Sequence, residues 1–135
     1  MTQRSLRDDQ GWTLIELLIV LSLILILTSM ALTQYSNSIT RTKEAALASD
    51  LYLMRDAIDQ YYADKGKYPD SLQALVSEHY LRQVPVDPFT RSSDSWVTEQ
   101  AETSASSTSA DSGIYNVKSG ADGTSLDGRR YSDFN

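Results

Sequence analysis

Between Trp12 and Thr40 the chain carries one charged side chain, the carboxylate of Glu16. It stands inside the run Trp12–Leu32, whose other polar members are Thr13, Ser22, Thr28 and Ser29. An ionised carboxylate in hydrocarbon costs about 3 kcal/mol or more unless it finds a partner. Gly11 precedes Trp12. A cut between the two would leave Trp12 with a free α-amino group of pKa about 8. That ammonium would lie about one helical turn from its own Glu16 and equally near a neighbour's Glu16 in a stacked array. Glu16 would then mark the register of an assembly. The bland alternative is a carboxylate near a membrane interface, reaching out to water.

A second constellation closes the chain. "SGADGTSLDGRRYSDFN" holds Asp122, Ser125, Asp127 and Asp133 among glycines. Closely spaced oxygen ligands on a loop that folds back can surround a hard cation such as calcium. The spacing is not that of an EF-hand, and the same residues also read as two Asp-Gly turns. No further chemistry is offered. There is no cysteine, so disulfides, thiolate nucleophiles and Cys-ligated zinc are excluded, and the one histidine, His79, has no ligand company. No G-x-S-x-G, P-loop or H-E-x-x-H pattern occurs, so no catalytic residue is assigned and the chain is not read as an enzyme. The formal net charge is −6 with no Lys/Arg stripe, which argues against a nucleic-acid partner.

These residues need elements to hold them. As a helix, Trp12–Leu32 is about 30 Å long, the thickness of a bilayer core, and it is apolar on every side. Arg4 and Arg7 precede it, which favours a cytoplasmic N-terminus and an exported remainder. A cleaved secretory signal is the rival reading, with a weak small-residue site near Ala31. After Leu32 the chain turns polar without Gly or Pro until Gly66. Leu47, Leu51, Met54, Ile58 and Tyr62 recur at helical spacing, and Arg55 and Asp59, four apart, suit a weak pair on the exposed face. The expectation is one helix from about Thr13 to Lys65, roughly 80 Å by helical rise, stopped at Lys65-Gly66-Lys67.

Beyond it, "YPDSLQALVSEHYL" predicts a short helix capped by Asp70 or Ser71, with Leu72, Leu75 and Val76 inward. "VPVDPF" is a proline-set turn, and "DSWVTE" (94–99) and "GIYNVKS" (113–119) are strand candidates. "QAETSASSTSADS" between them reads as a mobile surface loop. The fold class is α+β: a long N-terminal helix, half transmembrane and half amphipathic, on a small head with a short helix and a small antiparallel sheet. The organisation is 1–11, a leader if the chain is cut after Gly11, then 12–32 apolar helix, 33–66 amphipathic continuation and 67–135 head.

"GWTLIELLIVL" resembles the N-terminus of type IV pilins and type II secretion pseudopilins, and "GKYPDSLQALV" and "QVPVDPF" resemble the major pseudopilin head. The resemblance implies cleavage between Gly11 and Trp12 by a prepilin peptidase, N-methylation of Trp12, and Glu16 as the assembly glutamate. It also implies a structural calcium ion in the "GADG…D" turn, on Asp122 and Asp127 with Ser125 and the Ser119 carbonyl as weaker ligands. The implied function is a subunit of a type II secretion pseudopilus, a homo-oligomeric helical filament that drives protein export. Its partners would be an assembly platform and minor pseudopilins at a bacterial inner membrane, with the head in the periplasm. Two other readings stand beside it: a type IV pilus major pilin, and a single-pass membrane-anchored periplasmic module in which Glu16 needs no partner.

Overall fold

The computed structural model describes residues 7–101 and 112–135. Residues 1–6 of the expected leader and most of the expected mobile loop (102–111) lie outside the described residues. The chain divides into two compact units, one ending at Ile39 and the other running Thr40–Asn135. Helix α1 (Arg7–Lys65) enters both. In the first unit every residue from Gly11 to Ile39 is exposed, and the helix is long and apolar enough to cross a membrane. It ends where the sequence breaks it: Gly66 takes a left-handed φ of 67° and its N–H donates to the Tyr62 carbonyl at 2.8 Å.

The second unit is the expected α+β head. Leu47, Leu51, Met54 and Ile58 of α1 are all fully buried. Each such side chain is worth about 1.5–3 kcal/mol of hydrophobic burial. The stripe continues through Tyr61, which is buried, and not through Tyr62, which is exposed and stacks on Tyr68 at 4.4 Å between ring centroids. The alternating 4-3-4-3 step from Leu47 lands on 61, so Tyr62 is one residue off the buried face. Helix α2 (Leu72–Ser77) is capped by Ser71, whose Oγ accepts from the Ala74 N–H at 3.2 Å. Leu75 is buried and Leu72 and Val76 are half-buried, as expected. Exposed His79 follows the helix with φ 67°, so its place is a left-handed turn.

Strands β1 (Val97–Gln100) and β2 (Ile114–Lys118) pair antiparallel, Val97 opposite Lys118, with a bulge at Glu99/Gln100. β1 starts three residues later than expected because Trp96 leaves the strand path: it is buried, and its indole N–H donates to the Pro85 carbonyl at 2.8 Å. Gly120 sets the close approach of β2's exit to the segment before β1. A Cβ there would stand 2.0 Å from the Ser95 carbonyl oxygen.

Candidate functional site

Two places carry the residues singled out by the sequence. In the first unit, Trp12 and Glu16 lie one turn apart on α1 and line a shallow cleft of about 280 Å³ with Ile15, Ile19 and Val20. Four hydroxyls of this exposed segment bond to the helix's own backbone. The hydroxyls of Ser22, Thr28 and Ser29 donate to the carbonyls of Leu18, Ile24 and Ile26, each at 2.7 Å, and Thr33 donates to Ser29 at 3.3 Å. Their donors are satisfied by the backbone, so the helix presents hydrocarbon outward. Glu16 is left as the single charged group on that surface.

The second place is the turn from Ser119 to Phe134. Its root is Asp87, fully buried on the "VDPF" turn. One carboxylate oxygen accepts from the Phe89 and Thr90 N–H groups at 2.8 and 3.3 Å; the other accepts from the Ser119 hydroxyl at 2.6 Å. Beyond it, residues 125–129 form a tight loop: the Ser125 N–H donates to the Arg129 carbonyl at 2.7 Å and its Oγ accepts from the Arg129 N–H at 3.2 Å. α1 reaches this turn twice. Glu44 Oε1 accepts from the Leu126 N–H at 2.9 Å. Arg55 donates to Asn116 Oδ1, the Val117 carbonyl and the Phe134 carbonyl at 2.9, 2.9 and 2.8 Å. The expected Arg55–Asp59 pair is therefore not made: position 55 borders the buried stripe, and the guanidinium is drawn to backbone acceptors of the head. Phe89 stacks on Tyr131 at 4.0 Å, and Arg129 lies 5.1 Å above the Phe134 ring. Burial first, and then the Glu44 carboxylate, push the Tyr131 phenol above its ordinary range.

The four residues expected to hold calcium are thus dispersed in role. Ser119 and Ser125 are buried, while Asp122 and Asp127 are exposed. An open cleft of about 390 Å³ is lined by Ser119, Asp122 and Thr124, but also by Arg130, and Asp127 is not on its wall. Among the described residues no three carboxylate, His or Cys side chains gather as a metal site. Calcium takes 6–8 oxygens, usually including several carboxylates. One carboxylate facing one guanidinium does not fit that demand. Sequence reasoning missed Glu44, Arg55 and Asp87 as the groups that hold this turn. Only Asp87 had a local signal, the Asp-Pro turn itself.

The family described as "Prokaryotic N-terminal methylation motif" matches residues 6–32, the segment that contains Gly11, Trp12 and Glu16. Curated relatives fall into two groups. The type II secretion system core protein G of Pseudomonas aeruginosa is 28% identical over 99 residues, covering 62% of this chain and 70% of that protein. Its counterpart in Escherichia coli strain K12 is 24% identical over 102 residues, covering 64% and 70%. Fimbrial protein EcpC of Eikenella corrodens is 32% identical over 83 residues, covering 58% of this chain and 54% of its own length. The match thus spans about half of that fimbrial protein. No solved structure matches. A membrane-type helix with a methylation motif and an α+β head define a pilin-like protein. More particularly, the motif and these relatives together support a type IV pilin-like, major pseudopilin family for the chain.

Proposed function

We propose that this protein is a structural subunit of a type II secretion pseudopilus. The observation that carries the reading is the placing of Trp12 and Glu16 one turn apart on one exposed apolar helix, within the matched methylation motif. Core protein G relatives that match over about 100 residues, far beyond that motif, support secretion over a surface pilus. The subunit waits in the inner membrane with its head in the periplasm, as the arginines before the apolar run favour. A prepilin peptidase cuts between Gly11 and Trp12, and Trp12 is methylated. The new ammonium, with pKa about 8, is charged at neutral pH and offers Glu16 the cation that hydrocarbon withholds. An incoming subunit meets the filament base through this pair. Correct register neutralises Glu16; a shifted register leaves it bare at a cost of about 3 kcal/mol. Apolar helices bury against one another as they leave the bilayer, so hydrocarbon contact is exchanged and not lost. Growth on an assembly platform, begun by minor pseudopilins, pushes cargo outward.

The test is Glu16→Ala in a host with an active prepilin peptidase, read by N-terminal sequencing and by electron microscopy of overproduced fibres. The expected chain starts at methylated Trp12, the head stays folded, and fibres are lost in the variant while wild type forms them. Fibres of normal yield from Glu16→Ala would sink the register role, and a chain still starting at Met1 would return the protein to a simple anchored module. Restored secretion in a core protein G deletion host supports the pseudopilus; surface fibres without restored secretion would favour the type IV pilin reading.

A further inference from the structure

We propose that the C-terminal turn of this protein is closed by its own side chains, with Glu44 of α1 as the principal latch, and not by the calcium ion that the family resemblance implies. A loop ion does two things: it satisfies oxygen and amide groups left over by an irregular backbone, and it ties distant parts of the chain together. Here the protein's own side chains tie the distant parts together, and the buried side chains are all partnered. The Ser119 hydroxyl donates to Asp87, and Asp87 accepts from three donors in all. Ser125 Oγ is occupied by the Arg129 N–H, and no buried side-chain nitrogen or oxygen among the described residues lacks a partner. No buried side chain of the turn is left for an ion to satisfy.

The ties are long-range. Glu44 to Leu126 spans 82 residues, Arg55 to Phe134 spans 79, and Asp87 to Ser119 spans 32. Two guanidiniums also stand at the turn. Arg129 covers the Phe134 ring and Arg130 lines the cleft that contains Asp122. A divalent ion entering there would meet a guanidinium, whereas the anion the loop uses, Glu44, approaches from α1 as an acceptor for a backbone N–H. A charge-assisted bond of this kind is stronger than a neutral one, and Tyr131, packed beside it, feels the same carboxylate.

The experiment uses the full chain in detergent micelles. Thermal unfolding of wild type is measured in millimolar calcium chloride and in excess chelator, and amide hydrogen exchange is followed in wild type, Glu44→Ala and Glu44→Gln. The expected result is the same wild-type midpoint with and without calcium. In Glu44→Ala, exchange at the Leu126 amide should rise about tenfold, with the Leu75 amide unchanged. Glu44→Gln keeps an acceptor oxygen and should stay close to wild type at that amide. A midpoint several degrees higher in calcium overturns the proposal, as does unchanged Leu126 protection in Glu44→Ala. Should Glu44→Ala fail to fold, the wild-type calcium comparison still decides: Leu126 exchange in wild type that slows on adding calcium would also refute the proposal.

Discussion

Replacing Arg55 by alanine should be among the most damaging single changes in the head that leave the apolar core untouched. The guanidinium donates three hydrogen bonds, to Asn116 Oδ1, the Val117 carbonyl and the Phe134 carbonyl, all at 2.8–2.9 Å. Bonds from a charged donor are worth about 1.5–3 kcal/mol each. Three bonds from one group share its ordering cost and do not add, and Arg55 is only half-buried, so water replaces part of what is lost. The expected loss is about 3 kcal/mol, or about 12–24 °C in midpoint at the 4–8 °C per kcal/mol usual for a domain of about 100 residues. Arg55→Lys retains charge but not the planar fork, and should fall between. Thermal unfolding followed by circular dichroism reads the effect, with hydrogen exchange at the C-terminus as the local check. A change in Arg55→Ala below about 0.5 kcal/mol, the usual size for an unremarkable surface site, would show that water serves these carbonyls equally well and that the clasp is not structural.

Gly120→Ala forces a methyl to within 2.0 Å of the Ser95 carbonyl. Because backbone must shift, a loss of about 2 kcal/mol or more is expected in urea unfolding, with a wild-type midpoint as the refuting result. Asp50 carries a carboxyl raised above its ordinary value of 3.8, by burial first and then by the charge of Asp87. A raised carboxyl in the folded state contributes stability that is full below that ordinary value and is lost as pH rises through the raised one. Asp50→Asn should therefore unfold at a higher temperature than wild type at pH 7, with the gap closing as the pH falls below the ordinary carboxylate range. A gap that widens on acidification would reverse the assignment.

Much of the helical half of this protein was legible because its signals are local. The apolar run, the Gly66 stop and the Ser71 cap each sit within a turn or two of the chain, and each is where periodicity and capping chemistry placed it. The α+β class and the two strands followed from the same short-range cues, to within a few residues. What the sequence could not decide was pairing across the fold. A step of three or of four from Ile58 reaches Tyr61 or Tyr62, and the packed head buries Tyr61. Arg55 looks like a surface partner of Asp59 until β2 and the C-terminus bring three acceptors to it. The C-terminal turn shows the limit most plainly. Its aspartates and glycines read locally as a cation loop, and only the fold brings Glu44 and Asp87 from 82 and 32 residues away to accept from the Leu126 N–H and the Ser119 hydroxyl. Local sequence determines which conformations a segment prefers; which charges meet in the folded head depends on long-range packing, and that packing assigned Glu44, Arg55 and Asp87 their work.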